Sequence, residues 1–191
     1  MFQECTSLIT APALPATTLA NSCYSDMFYG CTSLTTAPAL PAMTLADNCY
    51  ANMFGSCYSL ITAPALPAMT LADYCYRGMF QECTSLTTAP TLPAMTLADN
   101  CYANMFTYCM SLTTAPVLLA MTLTKGCYYS MFQSCSNLAS IDVGFTAWNP
   151  TNATTDWVTG VAASGTFTCP STLPKTTGNS NIPDGWTIIE K

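Results

Sequence analysis

Apolar residues in this chain fall into columns. Met-Phe stands at Met1, Met27, Met53, Met79, Met105 and Met131, always 26 residues apart and with no insertion. A cysteine column follows at Cys5, Cys31, Cys57, Cys83, Cys109 and Cys135, and a second runs through Cys23, Cys49, Cys75, Cys101 and Cys127. Tyr24, Tyr50, Tyr76, Tyr102 and Tyr128 form another, and leucine fills three more, seen in the second unit as Leu34, Leu40 and Leu45. A fixed period in this range is the mark of stacked units. One unit cannot bury its own apolar face, whereas copies in register bury it as continuous ladders.

Two halves can be read within a unit. Residues 47–54 predict a short helix: Asp47 is a good N-cap, and Cys49, Met53 and Cys57, spaced by four, share one helical face with Tyr50 and Phe54 beside them. Residues 59–67 carry β-branched side chains and two prolines. Proline cannot donate to a ladder, so any strand here is short and bounded by Pro. A second extended piece is expected at 69–71. With coils roughly 4.8 Å apart, the stack is on the order of 25–30 Å long, plus its end.

The period stops after Leu138. Residues 139–191 are richer in Gly, Thr, Ser and Asn and hold all three tryptophans, Trp148, Trp157 and Trp186. A short helix is expected over 155–161, strands over 165–169 and 186–189, and a turn at Pro183-Asp184-Gly185. Solenoids need atypical ends, so this segment reads as a cap on the last coil. Nothing comparable precedes Met1, where an open edge is expected. Met1 itself reads either as a repeat methionine with sequence before it or as a natural start.

The run Cys-Thr-Ser-Leu-Thr-Thr-Ala-Pro at 31–38, then Leu45-Ala46-Asp47-Asn48-Cys49-Tyr50, then Met53-Phe54, resembles the BspA-like leucine-rich-repeat family. The Met-Phe-x-x-Cys-x-Ser-Leu form is similar to the branch found in bacterial surface proteins. The resemblance covers residues 1–138. The tail through Gly185-Trp186-Thr187 resembles a terminal module that follows such repeats in proteins of gut bacteria and their phages. The unit departs from the family in its two prolines and Thr-Ala runs. The implied architecture is an α+β repeat solenoid, a leucine-rich-repeat-like right-handed coil in which each unit has short strands and a short helix. Residues 1–138 would supply five to six repeats and 139–191 a β-rich C-terminal cap. The implied role is adhesion or ligand binding, at an extracellular or cell-surface location.

Composition narrows the function. Only 7% of residues are charged, against about 25% in an ordinary soluble protein. A net charge of −6 with four basic residues argues against nucleic acid, since nothing neutralises a row of phosphates, and against an anionic membrane surface. No run of about 18 apolar residues offers membrane insertion, and no signal peptide is present in the chain. The twelve cysteines come with no histidine, which removes the commonest general base and partner of a nucleophile. Fixed among Met, Phe and Leu, the cysteines read first as a buried thiol ladder. Disulfides are a second reading. On a helix, Cys49 and Cys57 would be about 12 Å apart, too far to bridge, so bridges would have to run between units or the segment would have to be other than helical. Soft-metal binding is a third reading, weakened by the absence of a Cys-x-x-Cys pair.

Asp47, Asp73 and Asp99 form an acidic column, but Asn21 and Lys125 take its ends, so capping explains it better than calcium does. Asn152-Ala153-Thr154 fits a glycosylation sequon. The chain offers no catalytic residue, no cofactor site and no metal site.

Variation between units collects around the expected helix. The candidate binding surface comprises Tyr29, Tyr74, Arg77, Tyr108 and Tyr129, because tyrosine serves recognition well; unconstrained solvent exposure is the competing explanation. The uniform side, with Thr36, Thr62, Thr88 and Thr114 in file, offers a flat polar face to a regular ligand. Expected partners are a host or matrix protein or a glycan. The alternative role is a structural subunit stacking head to tail through the solenoid ends into filaments.

Overall fold

A computed structural model describes residues 1–191. It contains no helix, and its regular elements are three short strands: β1 (Ser140–Asp142), β2 (Thr166–Cys169) and β3 (Thr187–Glu190). They form one parallel sheet in the order β1-β2-β3. The expected α+β solenoid, with a helix in every unit, is therefore corrected.

The hydrogen bonds explain what replaces the helix. Along 48–54, alternate amides point in different directions. Asn48, Tyr50, Asn52 and Phe54 donate to the carbonyls of Asp73, Cys75, Arg77 and Met79 in the next coil, at 2.7–3.0 Å. Cys49, Ala51 and Met53 donate back within their own coil, to Ala46, Asn48 and Tyr50. An α-helix would send every amide to the fourth residue before it. Here each coil is a chain of tight turns with left-handed backbone at every fourth residue: Asn48 (φ 55), Asn52 (φ 51) and Ser56 (φ 56) in one coil, Tyr74, Gly78 and Glu82 in the next. An eight-residue helix is marginal alone and leaves amides and carbonyls unpaired at both ends. The turn chain pairs half its amides internally and half with its neighbour, so stacking itself completes the bonding.

A four-residue turn repeat also puts i and i+4 on one side. Cys49, Met53 and Cys57 all point inward and are fully buried, as is Phe54. The sequence spacing thus identified the inward residues while suggesting the wrong backbone. Asp47 does not cap a helix. Its carboxylate accepts the backbone amide of Asp73 one coil on (3.2 Å), and Asp73 does the same for Asp99 (3.0 Å).

The other half of each coil is extended but joined to its neighbours only by isolated parallel bridges, such as Thr10 to Thr36, Thr44 to Thr70 and Thr62 to Thr88. The prolines that follow remove the donors a ladder needs. Strands lengthen only where the proline column lapses. Asp142 in β1 and Thr168 in β2 pair with each other in the column occupied earlier by Pro38, Pro64 and Pro90.

Inside the stack, Phe2, Phe28, Phe54, Phe80, Phe106 and Phe132 lie ring on ring with centroids 5.6–5.8 Å apart. Tyr24, Tyr50, Tyr76, Tyr102 and Tyr128 form a parallel ladder at 5.8–6.1 Å. The cysteines are all free, and the thiols one column over have a specific partner. Cys57, Cys83 and Cys109 donate to the carbonyls of Phe28, Phe54 and Phe80 in the preceding coil, at 3.1–3.2 Å. These thiols therefore fill space and tie coils together, which explains a cysteine column where alanine would pack.

The stack runs on past residue 138. Tyr128, Ser130, Phe132 and Ser134 donate to Ala153, Thr155, Trp157 and Thr159, the same alternate pattern as between repeats. Residues 155–161, expected as a helix, are a turn segment with Asp156 (φ 54) and Gly160 (φ 75) left-handed. Trp157 is fully buried and ends both aromatic ladders, 6.2 Å from Tyr128 and 6.1 Å from Phe132. All three indole N–H groups donate to carbonyls of an adjacent layer: Trp148 to Pro174, Trp157 to Asn181 and Trp186 to Ala162, each at 2.8 Å. Strands β2 and β3 lie in the two segments expected to be extended.

Candidate functional site

The extended half of each coil builds the most uniform surface of the molecule. Along 39–45 the chain alternates: Leu40, Ala42 and Leu45 turn inward and are buried, while Ala39, Pro41, Met43 and Thr44 face solvent. Stacking turns the outward residues into files. Met43, Met69, Met95 and Met121 are 51%, 51%, 58% and 60% exposed in four consecutive coils. Thr44, Thr70, Thr96 and Thr122 run beside them, and Thr36, Thr62, Thr88 and Thr114 run along the far margin, all exposed. Between the two threonine files lie shallow apolar grooves. One of about 400 Å³ is lined by Ala37–Pro41 backbone neighbours together with Pro64, Ala65 and Pro67. Another of about 360 Å³ is lined by Pro90, Leu92, Pro93, Pro116, Val117 and Leu119 among others.

This side carries no charge. Residues 6–20, 32–46, 58–72, 84–98 and 110–124 contain no Asp, Glu, Lys or Arg. The charges of the repeats lie in the turn segments, at Glu4, Asp26, Asp47, Asp73, Arg77, Glu82, Asp99 and Lys125. Large exposed apolar side chains normally occur singly, and a contiguous file of them marks an interaction surface. Methionine suits such a surface because its flexible, polarizable side chain adapts to what it meets. The signal was present in the sequence as a second methionine column, with Thr17 in the first unit and Met in the next four, but recurrence alone does not separate a core column from an exposed one.

No protein-family model matches the chain, no curated protein matches it, and no solved structure matches it.

The aromatic candidates sit on the turn side and do not form one file. Tyr29 is half-buried, and its ring lies over Gly55 in the next coil, where a β-carbon would come within 2.8 Å of Tyr29 Cδ2. The missing side chain at Gly55 makes room for it. Arg77 and Tyr129 share a column, but the buried Ala103 lies between them. Tyr74 (38% exposed, φ 57) and Tyr108 (46% exposed, φ 62) occupy left-handed positions in two further columns. Asn and Gly at the equivalent positions Asn48, Asn100 and Gly126 suit that backbone, whereas a bulky tyrosine is strained there. Much of the variation in the Tyr74 column is thus limited by backbone geometry. Replacing Tyr74 with Asn is expected to stabilise the protein by about 0.5–1 kcal/mol, read as a raised urea midpoint; an unchanged or lowered midpoint would mean that ring contacts outweigh the strain.

Chemistry at the buried groups is suppressed. Burial pushes the Cys57, Cys75 and Cys135 thiols up to about 12, and Cys49 and Cys127 up to about 11. A thiol so far above neutrality is neither a nucleophile nor a ready metal ligand at physiological pH. Cys5 and Cys23, in the first coil, are exposed.

Proposed function

We propose that this protein is a non-catalytic binding module, an adhesion or ligand-binding protein of a cell or particle surface, that holds an uncharged partner against its methionine–threonine face. The observation that carries this reading is the file Met43, Met69, Met95 and Met121, each more than half exposed, on a side of the stack with no charged residue. A repeating face of this kind suits a partner that is itself extended or regular, because each coil adds the same small contact at the next step. The resemblance of the unit to BspA-like surface repeats points in the same direction. Either a matrix protein or a neutral glycan has the required chemistry: apolar patches for the methionines and prolines, and hydrogen-bonding groups for the flanking hydroxyls.

Screening against immobilised matrix proteins and neutral and acidic glycans tests the reading. The double variant Met69→Glu/Met95→Glu is expected to weaken binding at least tenfold, about 1.4 kcal/mol. Folding stability should stay within about 0.5 kcal/mol, because the substituted side chains are mostly exposed. Binding should change little between about 0.05 and 0.5 M salt, since no ion pair is formed for salt to screen. Full affinity in the double variant, with loss in Tyr74→Ala or Tyr129→Ala instead, would move the site to the turn side.

A further inference from the structure

The methionine file sets thioethers side by side as well as outward. Met69 and Thr70 both donate their amides to the carbonyl of Met43, at 3.1 and 3.3 Å, and Thr44 pairs with Thr70 as a parallel bridge. Met43 and Met69 therefore stand in register on neighbouring coils. Met95 and Met121 continue the column at the same 26-residue step, and both are exposed.

The spacing has a chemical match. Parallel-paired coils lie about 4.8 Å apart. Two metal–sulfur bonds of about 2.3 Å each, placed in line, span about 4.6 Å. An ion held linearly by two neighbouring thioethers thus fits the step of the stack, and the rotatable bonds of methionine supply the remaining adjustment.

Donor type selects the ion. Thioether sulfur is a soft, neutral ligand that suits Cu(I) and its heavier relative Ag(I). Hard cations such as Ca(II) or Mg(II) take oxygen ligands, and this face offers them only threonine hydroxyls and no carboxylate. No Lys or Arg lies on the face to repel a cation, and the net charge of −6 favours its approach. Soft-metal binding, read in the sequence chiefly from cysteine, has its donors elsewhere: all the thiols except Cys5 and Cys23 are buried, whereas these thioethers are open to solvent.

We infer that the file Met43, Met69, Met95 and Met121 is a binding site for a soft monovalent metal ion, Cu(I) or Ag(I), held between the thioethers of adjacent coils. The site does not rest on the partner reading above. Leucine at these positions keeps the face apolar while removing the sulfur.

Silver(I) is the probe. The full chain, with Cys5 and Cys23 alkylated beforehand, carries carbon-13 at its methionine methyl groups and is titrated with silver nitrate in chloride-free buffer. The methyl signals of the four file residues are expected to shift together and to saturate. Those of the buried Met53, Met79 and Met105 should stay in place. So should that of Met110, which is 44% exposed but has Thr84 and Ser136 as its column neighbours.

Two double variants separate pairing from sulfur count. Met69→Leu/Met95→Leu leaves Met43 and Met121 with no adjacent thioether, and silver affinity is expected to fall at least tenfold. Met43→Leu/Met121→Leu removes as many sulfurs but keeps the central pair, and should retain the parental affinity at a lower stoichiometry. Equal weakening in the two variants, or an equal shift at Met110, overturns the paired site. Uptake of silver with no methionine methyl moving overturns metal binding by this face. Partner binding that survives both leucine variants leaves the proposed function standing whichever way the silver titration falls.

Discussion

Raising the pH from about 8 to about 10.5 under reducing conditions is expected to unfold the protein cooperatively. The cause is the thiol ladder. Cys57, Cys75 and Cys135 are held at about 12, and Cys49 and Cys127 at about 11, chiefly by burial, which disfavours the thiolate. In the unfolded chain each would ionise near about 8.5. Their folded values are raised, so the stability tied to their protonated state is complete below the unfolded value. It is lost as the pH climbs toward the folded one. Each thiol withdraws about 1.4 kcal/mol per pH unit across that window. Five acting together withdraw on the order of 7 kcal/mol per unit, against a total stability of about 5–15 kcal/mol for a domain. The buried tyrosines Tyr76, Tyr102 and Tyr128, also raised by burial, steepen the loss. Urea midpoints followed by circular dichroism between pH 7 and about 10.5 measure the effect. A flat profile would mean that the thiols are not sequestered in solution.

The second large effect concerns the phenylalanine ladder, where the same substitution should act differently by coil. Phe80→Ala is expected to destabilise by about 3–5 kcal/mol. Phe80 is fully buried and stacked on both sides, 5.8 Å from Phe54 and 5.7 Å from Phe106. Its removal opens a cavity mid-stack and interrupts contact between neighbouring coils, on which a one-dimensional array depends. Phe2→Ala removes a half-exposed ring stacked only on Phe28, and about 1.5 kcal/mol or less should be lost. Denaturation of the two variants against the parent compares them. Equal losses would show that coil position does not matter, contrary to a stack held by nearest neighbours.

The candidate face was only partly legible in the sequence. Its threonine file was visible as an unchanging column, and a regular ligand followed from that regularity. The methionine file was not legible as a surface, because a recurring apolar column has the same form in sequence whether it faces the core or solvent. Variation between units also has local structural causes. Tyr29 is accommodated by Gly55, and Tyr74 and Tyr108 sit at backbone positions that limit which residues fit. The absence of charge from 6–20 and its equivalents was a readable signal, since it separates one side of every coil from the other.

By itself the sequence determined the period, the coil register and most of the inward columns, because identical units can be stacked only by laying like residues on like. It also contained the evidence against a helix. Asn48, Asn52 and Ser56, with Gly78 and Gly126 in equivalent columns, place residues tolerant of left-handed backbone every four positions, where no α-helix accepts them. Tertiary structure decided between helix and turn chain, because the choice depends on a partner coil accepting every second amide, and no single unit contains that partner. It likewise decided the fate of the two methionine columns. Met53, Met79 and Met105 are fully buried, while Met43, Met69 and Met95 are more than half exposed. Both columns recur at the same 26-residue spacing, the second with Thr17 in place of Met in the first unit. The first lies on the inward side of the turns beside Phe54, Phe80 and Phe106. The second lies between Ala42 and Leu45, where those two residues already fill the interior and leave the methionine to solvent.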